Sequence, residues 1–350
     1  MTGKLKAAVL GGTGYGGAEM IRRLLLHPRI DLTHVSSVEH VGEGLGSVHR
    51  NLSGLTNLRF ESVDLEEVGG EVDVALLGLP HDVSLDVVPR LVASGTRVLD
   101  MSAAFRLRSA AEYGERYGRP HPHPELLERF VYGLPEIHRN HLRDARGIAG
   151  PGCFATCVEL SLLPLARAGW LKGEVSVTAM TGSSGSGAQP KLTTHHPVRS
   201  VNLRPYAPLR HVQAYEIEQE LRSAGADDLV FDFVPVSVPL SRGILTVTHL
   251  TLPASVTQDA LTAHFIEFYR DEPFVRVPED REPEVAAVSG SQYVEVGVRV
   301  GPERGEVRSA VCFGALDNLV KGGAGQLIQC LNIMFGFDET TTLADPGSWP

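Results

Sequence analysis

Seven residues near the start of the chain, Gly11-Gly12-Thr13-Gly14-Tyr15-Gly16-Gly17, include five glycines. An apolar run from Leu5 to Leu10 leads into them, and helical apolar spacing (Met20, Ile21, Leu24, Leu25) follows over Ala18 to Leu26. Gly12, Gly14 and Gly17 fit G-x-G-x-x-G, and Gly11, Gly14 and Gly17 fit G-x-x-G-x-x-G. A glycine turn between strand and helix lets the backbone approach a pyrophosphate, while the helix N-terminus offers N–H donors to it. The loop therefore commits the first part of the chain to a dinucleotide-binding βαβ unit. Gly11, Gly12, Thr13, Gly14, Tyr15 and Gly16 are the expected contacts.

Alternation continues to about residue 150. Asp31 to Val38, Val72 to Leu79 and Thr96 to Leu99 read as buried strands, and Val83 to Val92 as a helix. Short apolar strands between amphipathic helices predict a parallel sheet covered on both faces. Beyond about residue 170, Glu174–Thr181, Leu229–Val238, Ile244–Leu252, Tyr293–Val300 and Val307–Phe313 are longer and β-branched, with one clear helix among them near Thr257 to Tyr269. That succession predicts a mostly antiparallel sheet. A last helix over Gly322 to Met334 is expected to pack on the first domain. The reading is an α/β chain: a doubly wound Rossmann domain (1–152 and 316–350) plus an α+β catalytic and dimerisation domain (153–315).

Composition narrows the function. Lys and Arg number 32 against 42 Asp and Glu, a formal charge of −10, which argues against a phosphate-tracking nucleic-acid binder. Four cysteines, Cys153, Cys157, Cys312 and Cys330, make neither a disulfide framework nor a paired C-x-x-C zinc pattern. Free thiols in a reducing cytoplasm are expected, with no metal. Adjacent His195 and His196 lack a carboxylate or Cys at ligand spacing. No apolar run approaches a membrane span. The segment Met1 to Lys6 runs straight into strand-like sequence, so no signal peptide is expected.

The end of the second strand separates NAD from NADP, because an acid there bonds the ribose 2′-hydroxyl and repels a 2′-phosphate. Ser36 and Ser37 occupy that place. Two hydroxyls suit a phosphate, so NADP is expected. Glu39 lies two residues further on and no Arg appears before Arg50, which keeps NAD as the alternative.

Gly150-Pro151-Gly152-Cys153-Phe154-Ala155-Thr156 precedes an apolar helix, Cys157 to Ala168. A thiol at a helix N-terminus is favoured as thiolate, and the flanking glycines leave room for a carbonyl. Cys153 is the expected nucleophile; the other three cysteines read as small core residues.

With these residues in view, the sequence resembles the type 1 N-acetyl-gamma-glutamyl-phosphate reductases. It is equally similar to their relatives that reduce a carrier-protein-bound aminoadipyl phosphate, and both look like members of the aspartate-semialdehyde dehydrogenase superfamily. The resemblance rests on the glycine loop, Leu79-Pro80-His81, Asp100 to Arg106, Tyr132-Gly133-Leu134-Pro135-Glu136, Gly152-Cys153, Thr181 to Gly185, and Asp317-Asn318-Leu319-Val320-Lys321-Gly322.

The resemblance implies that Cys153 attacks an acyl phosphate and that a thioester is then reduced. It implies a base in Leu209 to Ile217. Members usually carry His-Arg-His there. This chain has His211, Val212 and Gln213, making His211 the candidate base. Pro80, Ser183, Gly185 and Asn318 are implied on the cofactor side. Arg106, by motif, and His196 and Arg199, from His-His-Pro-x-Arg, are the candidates for binding the substrate's phosphate and carboxylate. Backbone N–H groups beside Cys153 are expected to hold the oxyanion. Two pathways compete as the source of the substrate, arginine and lysine biosynthesis, and His-His-Pro-x-Arg tilts toward a carrier-bound or dual substrate. A homo-oligomer, often a tetramer, is implied. Val212 and Gln213 also motivate a reading from another class, a dinucleotide-binding regulatory protein without catalysis.

Overall fold

The computed structural model describes residues 3–349; Met1, Thr2 and Pro350, which the expected domain ranges and leader reading include, lie outside them. The chain divides into two compact units, one running to Pro151 and taking back Gly323–Ala344, the other comprising Gly152–Gly322 with residues 345–349. The expected junctions after 152 and 315 thus fall after Pro151 and Gly322.

The first unit is built on six strands, β1 (Leu5–Leu10), β2 (Ile30–Val35), β3 (Val74–Leu77), β4 (Arg97–Asp100), β5 (Phe130–Tyr132) and β6 (Gly147–Ala149). They pair in the order β2-β1-β3-β4-β6-β5, and every pair is parallel. All four residues of β3 are buried, as expected of a strand covered on both faces. The helix His81–Ala93 sets Leu85, Val88 and Leu91 into a core with Ala75, Leu77 and Val98. The helix Tyr15–Leu25 buries Met20, Ile21 and Leu24.

The last helix, Gly325–Met334, has all ten residues buried. Gln326 Nε2 donates to Gly133 O at 2.9 Å, Arg97 Nη1 to Met334 O at 3.2 Å, and His27 Nε2 meets Asn332 Oδ1 at 2.9 Å. The chain therefore returns to its first unit. Strand order reverses around β1, so the crevice at the carboxyl ends of β1 and β3 is the topological switch point where α/β sheets bind ligands.

The second unit carries seven strands, β7 (Gly173–Thr181), β8 (Arg204–Pro205), β9 (Leu229–Ser237), β10 (Ile244–Pro253), β11 (Val275–Arg276), β12 (Val294–Arg304) and β13 (Val307–Leu316). Their order is β11-β12-β13-β10-β7-β9-β8. Four of the six neighbouring pairs are antiparallel, and β11 with β12 and β7 with β9 are parallel. The sheet is therefore mixed and mostly antiparallel. Burial alternates along β10, the signature of a sheet covered on one face. The helix Cys153–Arg167, buried from Phe154 to Ala166, packs on β10 and β13, with the helix Gln213–Ser223 beside it. These two helices bring the candidate chemistry together.

Candidate active site

In the first unit the glycines of the loop serve different needs. Gly11 sits at φ +81°, and a Cβ there would stand 2.6 Å from Gly78 O. A Cβ on Gly12 would lie 2.4 Å from a Val35 methyl, so this glycine permits close packing on β2. Gly14 has open space where a Cβ would stand. Ser36 Oγ accepts the Gly11 N–H at 3.1 Å, and Ser37 Oγ accepts the His40 N–H at 3.0 Å. Each serine keeps its own hydroxyl proton to donate. Pro80 is exposed and stands as N-cap of the helix that follows β3. A bare backbone loop at the switch point fits a dinucleotide pyrophosphate.

In the second unit Cys153 is the first residue of its helix, one turn earlier than the apolar pattern indicated. The N-terminus of that helix is clamped from the side. Gln213 Oε1 accepts the N–H groups of Phe154 (2.9 Å) and Ala155 (3.2 Å). Glu216 Oε2 accepts the Gly152 N–H at 3.0 Å. The expectation that the N–H groups following Cys153 hold an oxyanion is corrected here: those of Phe154 and Ala155 already have an acceptor. Sequence reasoning saw in Gln213 only a missing histidine.

A cavity of about 320 Å³ opens at Cys153, lined also by Thr181, Gly185, Ser186, Lys191, Arg199, Arg204, Tyr206, His211, Gln213 and Ser237 among others. Three of these side chains are cations and none is an acid, in a chain of net charge −10. Arg199 is 8% exposed. Its Nη2 donates to Thr181 O at 2.9 Å, while its buried Nε has no hydrogen-bond partner among the described residues. Burial pulls the guanidinium pKa below its ordinary value. Lys191 and Arg204, which sequence reasoning passed over, line the cavity with it.

His211 is half-buried among Phe154, Tyr206 and Phe233, with ring centroids 5.5–5.7 Å away. The Gln213 N–H reaches His211 Nδ1 at 3.4 Å. Burial, and next the nearby Cys153 sulfur, push the Tyr206 phenol pKa upward, so Tyr206 stays a neutral hydroxyl. The remaining cysteines are inert core. Burial pushes Cys157 up to about 12 and raises Cys312, and Cys330 Sγ donates to Gly133 O at 3.3 Å.

Residues 182–187, all glycine or serine, are held in place rather than loose. Ser183 and Ser184 donate their N–H groups to Leu240 O and Ser241 O, and Gly185 reaches the cavity. Asn318 Oδ1 accepts the Gly243 N–H at 2.7 Å, and its Nδ2 donates to Ser184 Oγ at 3.0 Å. Asn318 thus fastens this loop. The helix-capping carboxylate is Asp317, one residue earlier, which accepts the Leu319 and Val320 N–H groups.

Two expected substrate ligands are not in this lining. His196 is exposed and does not line the cavity, because its one-turn helix directs only the Arg199 end toward Thr181. Arg106 belongs to the first unit, where its Nε donates to Gly150 O and its Nη2 to Met101 O, both at 2.8 Å. It ties down the segment that leads into Gly152.

Comparison with known proteins accords with this arrangement. Residues 6–145 match the family description "Semialdehyde dehydrogenase, NAD binding domain", and residues 153–318 match "Semialdehyde dehydrogenase, dimerisation domain". An N-acetyl-gamma-glutamyl-phosphate reductase of Methanosphaera stadtmanae is 39% identical over 99% of both chains. A LysW-L-2-aminoadipate/LysW-L-glutamate phosphate reductase of Sulfurisphaera tokodaii is 38% identical over 98% of both. Among solved structures, aspartate semialdehyde dehydrogenase II of Vibrio cholerae superposes with a TM-score of 0.71 at 17% identity, covering 95% of this chain and 98% of that one.

Proposed function

The chain belongs to the semialdehyde dehydrogenase family, and from that premise we propose that it reduces an N-acyl amino-acid acyl phosphate, N-acetyl-γ-glutamyl phosphate in the first instance, to its semialdehyde. One observation carries the reading: Cys153 opens a helix at the floor of a cavity with three cations and no acid in its lining. A doubly charged phosphate and a substrate carboxylate need such a lining, and Arg199, with an unpartnered buried Nε, offers a fork for one of them.

His211 takes the thiol proton, and the Cys153 thiolate attacks the acyl carbon. A C–S bond forms, the C–O bond to phosphate breaks, and phosphate leaves with the electron pair and the proton from His211. When bound, a nicotinamide dinucleotide supplies the hydride. The resulting alkoxide re-forms its C=O bond, the C–S bond breaks, and the aldehyde leaves a regenerated thiolate. Gly11 to Gly16 and Pro80 would hold the dinucleotide; for Ser183, Gly185 and Asn318 a part at its nicotinamide end is proposed from the resemblance of their segments. Ser36 and Ser37, with hydroxyl protons to donate at the place where an acid would favour NAD, support NADP over NAD.

A second reading, a substrate presented on an amino-group carrier protein or an enzyme serving both routes, draws on a specific observation. No acidic residue occurs between Glu174 and Glu216, and Leu192, Val201, Leu203 and Leu209 in that segment are exposed. The "dimerisation domain" match supports a homo-oligomer, which we take as a tetramer. Among the described residues no helix is long and apolar enough to cross a membrane. The free thiols suit the cytoplasm.

The reverse reaction tests the proposal. N-acetylglutamate semialdehyde, phosphate and NADP are expected to yield reduced nicotinamide, followed by absorbance, and faster than with NAD. Turnover confined to the carrier-bound semialdehyde would move the substrate to the second reading. No turnover with either would leave the regulatory reading.

A further inference from the structure

Gln213 does more than fill the place of a histidine. Backbone N–H groups are donors only, so the bonds from Phe154 and Ala155 fix the amide with its oxygen on the helix and its nitrogen turned away. Gln213 lines the cavity beside Cys153, and among the described residues its Nε2 has no hydrogen-bond partner. Room for this amide is made by Gly152. That residue has an ordinary φ of −66°, yet a Cβ on it would lie 2.3 Å from Gln213 Cδ and 2.6 Å from Glu216 Oε1. Gly152 is therefore a glycine for space, not for backbone freedom.

The helix has given its Phe154 and Ala155 N–H groups to Gln213. An amide oxygen that accepts two N–H bonds at the positive end of a helix polarises its own N–H bonds outward. We propose that Gln213 Nε2 is the donor to the negatively charged oxygen of the tetrahedral adduct on Cys153, relaying the helix terminus into the cavity. This rests on the reductase reading. The donor does not titrate, so it serves at any working pH.

The test compares Gln213→Glu, Gln213→Ala and Gln213→His in the full-length chain. Two readouts are used: semialdehyde turnover, and the pH dependence of iodoacetamide alkylation. The second needs no turnover and reports Cys153, since Cys157, Cys312 and Cys330 are fully buried. Gln213→Glu keeps the helix acceptor but loses the donor and adds a charge. It is expected to lower kcat by about 10²-fold or more, the scale for a lost oxyanion donor, with little change in KM. Its alkylation midpoint should move to higher pH. Gln213→Ala should lose at least about tenfold in kcat on the same ground. Gln213→His should recover part of that loss and acquire an acid limb near the ordinary histidine pKa of about 6.5, where imidazolium stops accepting.

A Gln213→Glu protein with twofold or smaller change in kcat and an unmoved alkylation profile would overturn the proposal and leave Gln213 as a cap. Should the wild type turn over no semialdehyde, the reductase reading fails by itself. The alkylation profile of the uncharged variant then decides: a raised midpoint in Gln213→Ala keeps the amide as a donor at Cys153, and an unmoved one removes it.

Discussion

Gly322 presses against Cys153 so closely that a methyl group on it would stand 2.8 Å from Cys153 Cβ and 3.2 Å from its Cα. The wall it forms is stiff. Gly322 N–H donates to Asp317 O at 3.0 Å, and Asp317 is itself held by Arg242 and the Gly290 N–H. Cys153 is thus fixed from two sides, by Gly322 and by the Gln213 clamp.

Gly322→Ala should therefore displace Cys153 rather than unfold the chain. Overpacking of this kind costs about 1–3 kcal/mol, so a melting temperature lowered by a few degrees is expected. Turnover should fall by at least about tenfold, since about 1 Å of misplacement can cost 10²-fold in rate. Melting by circular dichroism and kcat on the same preparation check this. Native kcat would mean that the wall yields freely.

Arg199→Lys should raise the KM for phosphate in the reverse direction by about tenfold, one lost hydrogen bond to a charged group being worth about 1.5–3 kcal/mol. A lysine keeps the charge but not the fork that reaches Thr181 O and leaves Nε for the ligand. Initial rates at varied phosphate decide it; an unchanged KM would assign phosphate to Lys191 or Arg204.

Acid should weaken the first unit. Burial chiefly holds the His27 pKa below the ordinary 6.5, and burial does the same for His81 and His121. His27 Nδ1 accepts the Arg29 N–H while Nε2 meets Asn332 Oδ1, so a second ring proton would oppose a donor. The unfolded chain thus takes up protons first as pH falls. Stability is complete above about 6.5 and declines as pH falls toward and through the folded values. Melting temperatures from pH 8 to pH 5 should fall, and His27→Gln should flatten that fall. An identical slope in the variant would remove His27 as a source.

Gly11→Ala should weaken dinucleotide binding more than it weakens folding, because the positive φ and the 2.6 Å approach to Gly78 O set the loop at the switch point. Cofactor titration by nicotinamide fluorescence reads it directly. Wild-type affinity would mean that the loop tolerates a different path.

Much of this was legible in the sequence because its signals are local. A glycine loop between apolar strand and helix, and a Gly-Pro-Gly-Cys at a helix start, carry their meaning within about ten residues. The three-residue strands β5 and β6 carry too little pattern to stand out, and they exist only through ladder bonds to distant partners. Side-chain direction was also hidden. His196 and Arg199 share a one-turn helix, yet only Arg199 faces the cavity. Asp317 accepts the N–H groups that open the segment after it while Asn318 fastens the Ser184 loop, a division that adjacent residues do not reveal in sequence. The Gln213 clamp joins residues about 60 positions apart and leaves no mark in either segment alone.

Everything proposed for the cavity turns on a covalent acyl-enzyme on Cys153. Mixing the full-length protein with N-acetyl-γ-glutamyl phosphate in the absence of any dinucleotide, and following inorganic phosphate on the millisecond-to-second scale, tests it most directly. A burst of about one phosphate per chain is expected, with an acyl mass increment on the intact protein that maps to Cys153, and neither in Cys153→Ser. Phosphate released in an equal burst by Cys153→Ser, or no burst from the wild type in the presence of competent reverse turnover, would contradict it.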